Sequence, residues 1–551
     1  MTTASIPSAA SSTSGATGNV GIVALGIIGL AIMGLVLWLS HRGGTKSSGD
    51  GLAGWGQWRH SLGYKKSVRR ARQRIPQPDV PDTELSVFFA YPAGTTSPSK
   101  RLFLQLEDSV LVNGPARSGK TRYVAERLVG DAVGSVVATS TKTDLLFKTL
   151  STRQRQGLVY VYDPLGLVPP GTPGVLRLRW NPVVGCEDPE TALRRGSAWA
   201  GAQPMNGVKN GDWFIRRGAA VLSKLLHAAA LDGRDILDVK RWGTDLSDDT
   251  PQEILKDRGP RGWREDLQSL AGNKAQETVG SISISLASIL ECLDSPRAVE
   301  TVTPAWQEHF DVRTFLNGSN TLYLLASEDA GTTVAPLFTM LVDEIVHTAS
   351  QMIQHCPGGF LWPPMRFVGD EIAQLAPIAK LPAYMADSGG RGLQLVPIVQ
   401  SFAQLRNRWG DDGADAIIAT ASTKLYLPSN SEEKVAAHLI RLAGRHTVRT
   451  YSGSRQAGSA GRSDSTSSSW STTKEDKLTA TAIRELPEGH AWLEYRSLPI
   501  GKIRLPEWTP TDAPVLPTTP PELQQGWQSG WTSSDTTQPL PVDASAGGRS
   551  L

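Results

Sequence analysis

The residues of this chain best suited to chemistry stand together at positions 114–121, where two glycines, a lysine and a threonine follow the spacing G-x-x-x-x-G-K-[ST]. In order, they are Gly114, Pro115, Ala116, Arg117, Ser118, Gly119, Lys120 and Thr121. Glycines in such a loop let backbone N–H groups point at phosphates, the lysine neutralises the β- and γ-phosphates, and the hydroxyl can bind Mg²⁺. The loop therefore predicts a nucleotide site with ATP and Mg²⁺ as its cofactors.

Two adjacent carboxylates could complete that site. Asp370 and Glu371 follow the extended run 365–369, so they would stand at the end of a strand. We expect Asp370 to hold Mg²⁺ through water and Glu371 to polarise the water that attacks the γ-phosphate. Arg366 and Gly369 interrupt what is usually an apolar strand, and an isolated Asp-Glu pair is more often a solvated helix start.

Two further polar residues are candidates for catalysis. Gln400 ends the apolar run 395–399, and in P-loop ATPases of the RecA-like kind a side chain at this place senses the γ-phosphate. A simple strand-terminating glutamine is the alternative. Arg391 lies in a glycine-rich turn before that run, from which it could reach a neighbouring subunit's nucleotide as an arginine finger. Arg406 and Arg408 compete for that role.

The elements that must position these residues are readable from the apolar pattern. Residues 109–113 read as a buried strand and residues 122–129 as the start of a helix; further apolar runs occur at 136–140, 158–162, 321–325, 366–369, 395–399 and 424–427. Such runs, separated by helical patterns, indicate a largely parallel sheet covered on both faces. Between 188 and 315 only helical periodicity is convincing. We predict an α/β fold, with a RecA-like P-loop ATPase domain formed by 101–187 and 316–508 and an inserted all-α domain at 188–315.

A membrane anchor is predicted within residues 1–45. Residues 20–39 contain no charge, and at about 1.5 Å per residue such a helix spans a hydrocarbon core of about 30 Å. A cleaved secretory signal would need a basic start and a shorter apolar core. Nine Lys and Arg residues occur from Arg42 to Arg74 and none before, so we expect a single-pass protein of the cell membrane with a cytoplasmic C-terminal body. Residues 46–100 read as a basic juxtamembrane linker held to anionic lipid, followed by the first strands.

The remaining features mark segments without a core and argue against some kinds of site and partner. Residues 452–473 are rich in Ser, Gly and Thr and read as a flexible loop, and the Pro- and Thr-rich residues 509–551 read as a disordered tail. The three cysteines have no C-x-x-C spacing, which argues against a zinc site or a disulfide framework. A net charge of +3 does not by itself argue for a nucleic-acid partner.

The order of the motifs resembles the TraG/TraD family of type IV secretion coupling proteins. The resemblance extends roughly from 110 to 505 and is carried by the acidic segment 367–382, the turn 390–393, the segments 398–405 and 423–427, and the shorter landmarks 163–166, 180–182 and 486–489. This chain departs from the family's pattern in two places. A single spanning helix is evident where two are common, and Ser140, Thr141 and Lys142 stand where aspartate, proline and lysine are usual.

The resemblance implies a membrane-anchored ATPase that assembles as a homo-hexamer around a channel. Such a protein recruits DNA–relaxase complexes or protein substrates, binds DNA without sequence preference, and delivers its cargo to components of a type IV secretion (conjugation) channel. The all-α domain would recognise the substrate. Two alternatives stay open: a duplex DNA translocase of the FtsK-like kind, and a membrane-bound recruitment adaptor whose ATP site is only structural.

Overall fold

The computed structural model describes residues 52–75, 79–203, 211–271, 276–305, 308–456 and 465–510. The predicted anchor at 1–45 and nearly all of the predicted tail at 509–551 lie outside these ranges. Within them, no helix combines the length and the apolar character that crossing a membrane requires. The described residues fall into two units: a small one formed by Leu52 and residues 443–477, and a large one that contains residues 53–442 and those from 478 onward.

The described residues contain fourteen strands. They are β1 (Ser86–Pro92), β2 (Leu102–Gln105), β3 (Val110–Asn113), β4 (Val136–Ser140), β5 (Val159–Tyr162), β6 (Leu176–Arg177), β7 (Thr321–Leu325), β8 (Met365–Asp370), β9 (Leu393–Val399), β10 (Thr423–Tyr426), β11 (Arg445–Gln456), β12 (Ser465–Asp476), β13 (His490–Tyr495) and β14 (Gly501–Arg504). Twelve of them form one sheet of the large unit in the order β2-β1-β14-β13-β10-β3-β9-β8-β4-β7-β5-β6.

That sheet has two parts. From β10 to β6 all neighbours are parallel, and from β10 through β13, β14 and β1 to β2 all neighbours are antiparallel. Each apolar run predicted from the sequence lies in a parallel strand, because strands covered on both faces must be apolar on both. The mixed α/β fold with a large parallel sheet is therefore confirmed.

Helices cover the sheet and fill the middle of the chain. They are α1 (Trp55–Leu62), α2 (Tyr64–Arg72), α3 (Glu126–Gly130), α4 (Asp144–Gln154), α5 (Pro189–Ala200), α6 (Gly211–Leu231), α7 (Ile236–Thr244), α8 (Thr250–Arg258), α9 (Trp263–Ala271), α10 (Gln276–Leu290), α11 (Pro296–Val302), α12 (Val312–Leu316), α13 (Gly331–His355), α14 (Ile372–Leu375), α15 (Leu381–Ser388), α16 (Phe402–Thr420), α17 (Glu433–Ala443) and α18 (Ala480–Arg484). The described residues from Pro189 to Leu316 form helices and no strand, as the periodicity predicts.

A buried ion cluster joins this helical segment to the sheet domain. Arg194 and Arg195 on α5 both bind Oε2 of Glu344 on α13, at 2.6 and 2.9 Å. Although burial opposes its charge, the two guanidinium groups bring the pKa of Glu344 down to about 2. Because the carboxylate is ionised throughout the physiological range, the cluster fixes α5 against α13.

The basic segment predicted as a juxtamembrane linker is helical at its start, from Trp55 to Arg72, within the described residues. The structure has α1 and α2 there, and both pack against the edge of the sheet. Trp58 and Leu62 are only 2% and 0% exposed, and the indole N–H of Trp58 donates to the Ala53 carbonyl at 2.9 Å. Val68 and Ala71 continue the buried face on α2. Apolar residues at helical spacing therefore anchor this segment, and its cations occupy the other faces.

The described residues of the predicted loop at 452–473 form strands, and its middle, 457–464, lies outside the described ranges. Within the small unit, β11 and β12 pair antiparallel from Arg445↔Asp476 to Gln456↔Ser465. Ser and Thr dominate these strands, so composition alone suggested a segment without a core. Backbone pairing holds this ribbon, with an ion pair between Arg445 and Asp476 at 2.9 Å and the Arg449 guanidinium 5.9 Å from the Trp470 ring.

Arg366, which breaks the apolar pattern of β8, has a structural role. Its guanidinium is buried and donates to the side-chain oxygen of Gln394 on the neighbouring β9 and to the carbonyl of Leu128 on α3. Burial lowers its pKa to about 10, so it remains charged at neutral pH. The residue ties β8 to both the next strand and the helix that follows the glycine loop.

We expect Arg366→Ala to lower the free energy of unfolding by about 3 kcal/mol, because two buried acceptors lose their donor. Arg366→Lys should cost less, since an ammonium can still reach one acceptor. Guanidinium denaturation followed by tryptophan fluorescence measures both. An unchanged midpoint for Arg366→Ala would show that the buried guanidinium contributes nothing to stability.

Candidate functional site

The glycine loop begins where β3 ends, at Asn113. After the loop the chain makes one wide helical turn over Lys120–Ala125 and continues as α3. Gly119 has φ +86°, and a Cβ at this position would lie 2.4 Å from the Tyr123 ring. A Cβ on Gly114 would lie 2.7 Å from that of Leu427. Both glycines of the motif are therefore required by the backbone path as well as by phosphate chemistry.

Lys120 points back over the loop and into the site. Its side chain is 7% exposed, and Nζ donates to the Pro115 carbonyl at 3.0 Å. The same ammonium lies 3.4 Å from Oε1 of Glu371. The structure thus brings together the lysine of the loop and the predicted catalytic carboxylate, which are 251 positions apart (371 − 120).

The predicted metal ligands are also adjacent. Thr121 donates its hydroxyl to Oδ2 of Asp370 at 2.8 Å, and Thr139 on β4 donates to the Asp370 carbonyl at 2.6 Å. Oδ1 of Asp370 and Oε2 of Glu371 are buried and accept no hydrogen bond from any described residue. A hydroxyl and open carboxylate oxygens form a hard oxygen donor set, which fits Mg²⁺.

Glu371 is held in a backbone conformation that non-glycine residues rarely adopt, with φ 54° and ψ 42°. Its carbonyl accepts the backbone N–H groups of Gln374 and Leu375, the last two residues of the single-turn helix α14. Gln400, directly after β9, donates its amide Nε2 to Oε1 of Glu371 at 3.0 Å. The strained turn therefore aims the carboxylate at the point where the loop lysine and the predicted sensor meet.

Arg391 lies elsewhere in its own chain. It precedes β9, whereas the glycine loop and Gln400 stand at the carboxyl ends of the parallel strands. The seven residues of β9 lie between Arg391 and Gln400, and six steps of about 3.3 Å make that strand roughly 20 Å long. Its guanidinium is half-exposed and pairs with Asp387 at 2.8 Å. A role in another subunit's site stays a prediction.

The two competing arginines are also outside the site of this chain. Arg406 pairs with Asp411 and Asp415 on its own helix, α16, both at 3.4 Å. Arg408 donates to the carbonyls of Gly201 and Gln203, after α5, and so joins α16 to the helical segment. Its guanidinium stabilises the packing of these two segments. A sequence pattern alone does not distinguish that role from the role of an arginine finger.

Glu432 supports the site and was not predicted. Its carboxylate accepts from the side-chain amide of Asn113 at 2.9 Å and from the backbone N–H groups of Phe402 and Ala403 at 3.0 and 3.3 Å. Asn430 donates to the Asn113 side chain at 3.0 Å. This group links the base of the glycine loop to the turn that carries Gln400. No motif spacing signals it, because the bond joins two loops through the fold.

Electrostatics at the metal position favour a cation. Burial is the main cause that raises the pKa of Asp370 to about 6, with a smaller contribution from Glu371, while Thr121 and Lys120 oppose the shift. At neutral pH the carboxylate is ionised at a cost, because Lys120 does not compensate it fully. A divalent cation beside Oδ1 would remove that cost.

The pKa of Asp370 predicts a pH dependence of stability without nucleotide or metal. The folded state binds the proton more tightly than the unfolded one, so stability should fall as pH rises from about 4 to about 6 and then stay level. The shift from 3.8 to about 6 corresponds to a loss on the order of 3 kcal/mol. Asp370→Asn should abolish this component of the pH profile, measured by thermal melting between pH 4 and 7 (about the range of both pKa values). An identical profile in the variant would contradict the shift.

Comparison with known proteins adds two findings. Residues 364–488 match a family model described as the TraM recognition site of TraD and TraG. No curated protein matches the sequence.

The solved structures that match include the bacterial conjugative coupling protein TrwB in three states. The unbound form has a TM-score of 0.56 and 18% identity over 82% of this chain and 94% of that chain. TrwB with the non-hydrolysable ATP analogue ADPNP gives 0.54 and 18% over 82% and 95%, and TrwB with ADP and Mg²⁺ gives 0.54 and 17% over 80% and 92%. At these identities the likeness establishes the fold. The resemblance to TraG/TraD coupling proteins is therefore confirmed: the segment with Asp370, Glu371 and Gln400 matches the family's model, on a chain that has the fold of a conjugative coupling protein.

Proposed function

We propose that this chain is a membrane-anchored, hexameric ATPase that recruits DNA–relaxase or protein substrates and couples ATP hydrolysis to their delivery into a type IV secretion channel. One observation carries the proposal. Lys120 of the glycine loop and Gln400 of the predicted sensor strand both contact the same carboxylate oxygen of Glu371. Two of these three residues lie in the segment that matches the TraG/TraD model.

The site supports ATP and Mg²⁺ as cofactors. TrwB has been solved with a non-hydrolysable ATP analogue and with ADP and Mg²⁺. Backbone N–H groups of the glycine loop and Lys120 would hold the phosphates, and Thr121 and Asp370 would hold the metal, which neutralises charge on the phosphate oxygens. Glu371 is placed to accept a proton from water through Oε2, which has no donor among the described residues. Gln400, bonded to the other oxygen, keeps that carboxylate oriented.

Assembly and membrane attachment belong to the proposal as well. Six copies in a ring would let Arg391, half-exposed on its turn, approach the nucleotide of a neighbouring copy. The uncharged run 20–39 would anchor each copy once, with the described residues in the cytoplasm. A purely structural ATP site, as in a recruitment adaptor, would not require a carboxylate held in position by the strained backbone of Glu371.

We expect Lys120→Ala to abolish nucleotide binding, because the loop loses the charge that neutralises the β- and γ-phosphates. Glu371→Gln should retain binding and lower turnover by about a hundredfold or more, since an amide does not accept the proton. Nucleotide affinity by calorimetry and phosphate release distinguish the two effects. Lys148→Ala and Glu433→Gln, both at exposed helical positions outside the site, are matched controls. Wild-type turnover in Glu371→Gln would refute the catalytic assignment and favour the adaptor.

If the cargo is DNA, the ATPase rate of the full chain should rise with single- or double-stranded DNA of any sequence. Phosphate contacts would dominate, so stimulation should decline by about tenfold or more between about 50 and 200 mM salt. A hexamer that hydrolyses ATP but neither binds DNA nor responds to it at low salt would restrict the function to protein cargo. Stimulation by duplex alone would favour the FtsK-like alternative.

A further inference from the structure

A groove at the antiparallel edge of the sheet is separate from the nucleotide site. It lies between the helices α1 and α2 and the strands β1 and β2 and has a volume of about 1210 Å³. Its lining contains no residue of the glycine loop and none of the residues assigned to metal binding or catalysis. Nucleotide binding therefore does not account for the residues that line this groove.

Unbalanced positive charge is the first property of this groove. Five of its lining residues are cations: Arg59, Lys65, Lys66, Arg69 and Arg101. Their charged groups make no ion pair and no hydrogen bond with any described residue; Arg101 only stacks on the Phe88 ring, at 4.9 Å. The lining includes one carboxylate, Asp131, and it is already bound to Arg127 at 3.1 Å and to the Trp508 indole at 2.6 Å. The groove thus presents cations that lack counter-ions.

A buried hydroxyl points to a ligand independently of the charges. Ser86, on β1, lines the groove and is only 7% exposed. Its Oγ has no hydrogen-bond partner within the described residues. Buried polar groups are nearly always satisfied, and an orphaned hydroxyl costs about 1–3 kcal/mol. A bound acceptor such as a phosphate oxygen would satisfy it.

Aromatic rings also line the groove. Phe103 packs against Tyr64 and Phe88 with ring centroids 5.2 and 6.0 Å apart. Tyr64 is 38% exposed and Trp55 also lines the groove, and tryptophan and tyrosine are the residues that favour membrane interfaces. An inorganic ion would leave these rings without a partner. The combination of cations and aromatic surface fits a molecule with a phosphate next to an apolar part.

In the sequence, the groove-lining residues begin shortly after the predicted anchor. Trp55 follows Leu39 by sixteen residues, a tether that spans at most about 55 Å. Anionic headgroups are concentrated at the cytoplasmic surface, where each nearby Lys or Arg contributes about 1 kcal/mol of attraction. We propose that the groove binds the headgroup of an anionic phospholipid, with Lys65, Lys66 and Arg69 around the phosphate and Ser86 donating to it. The inference rests on the proposed membrane attachment and not on the ATPase site.

Native mass spectrometry of the full chain in detergent, titrated with dioctanoyl phosphatidylglycerol or dioctanoyl phosphatidylcholine, tests the proposal. We expect tighter binding of the anionic lipid. The triple variant Lys65→Gln, Lys66→Gln, Arg69→Gln should weaken it by about a hundredfold, at about fivefold per cation. The triple variant Lys256→Gln, Arg261→Gln, Lys434→Gln removes equal charge outside the groove and should bind like the wild type.

Ser86→Ala distinguishes ligand binding from packing. Because the hydroxyl has no protein partner, its loss should not lower the melting temperature of the lipid-free protein, while it should weaken phosphatidylglycerol binding by about tenfold. A lowered melting temperature with unchanged lipid binding would overturn the role given to this residue. Equal binding of both lipids, or equal loss in the two triple variants, would overturn the whole proposal.

Two further experiments, competition by small phosphates and binding of an oligonucleotide, identify the source of the phosphate. Glycerol phosphate should compete weakly and inorganic phosphate hardly at all; competition by inorganic phosphate as strong as by the lipid would make this a free-phosphate site. A single-stranded oligonucleotide whose binding is lost in the groove triple variant, with lipid binding unchanged, would make it a nucleic-acid site. Carbonate extraction tests the anchor separately: a fully extractable chain that still prefers the anionic lipid refutes the anchor and supports the groove.

Discussion

The carboxylate of Glu371 is the group on which the rest of the site depends. A single oxygen of it meets both the ammonium of Lys120 and the amide of Gln400, while the backbone beneath it is in the left-handed region. Such a conformation costs free energy and persists only where its surroundings enforce it. Here the surroundings are the end of β8, the first turn of α14 and the hydroxyl of Thr139, which holds the preceding carbonyl.

The register of the parallel strands allows Lys120 and Gln400 to contact the same carboxylate of Glu371. Ile398 on β9 pairs with Val112 on one side and with Asp370 on the other, so the carboxyl ends of β3, β8 and β9 coincide. Lys120, the acidic pair and Gln400 follow those three ends. A slip of one residue in β8 would turn Asp370 away from Thr121. Arg366 opposes such a slip, because its guanidinium binds β9 and the end of the loop helix together.

The sequence was sufficient for the parts of the molecule that local patterns determine. The glycine loop, the acidic pair and the apolar strands were predictable because phosphate binding and two-sided burial each restrict residue type at fixed spacing. Glu432 was not, since it joins loops that only the fold brings together. The β11–β12 ribbon was missed because its strands pair without a core, and α1 and α2 because their charges obscured the buried Trp58 and Leu62. Arg391 looked close to the sensor in sequence, yet a strand separates the two along its whole length.

The nucleotide site and the basic groove share one element. The helical stretch from Lys120 to Gly130 spans at most about 15 Å at 1.5 Å per residue, and Asp131 directly after it lines the groove. Its far end is firmly held: Arg127 pairs with Asp131 and lies over the Phe88 ring, and a Cβ on Gly130 would strike the Trp508 indole at 2.3 Å. Coupling between two sites needs an element with two arrangements, and a close-packed end opposes a second one. The fold therefore joins the nucleotide site and the basic groove through a rigid connection, which holds each in a fixed position relative to the other.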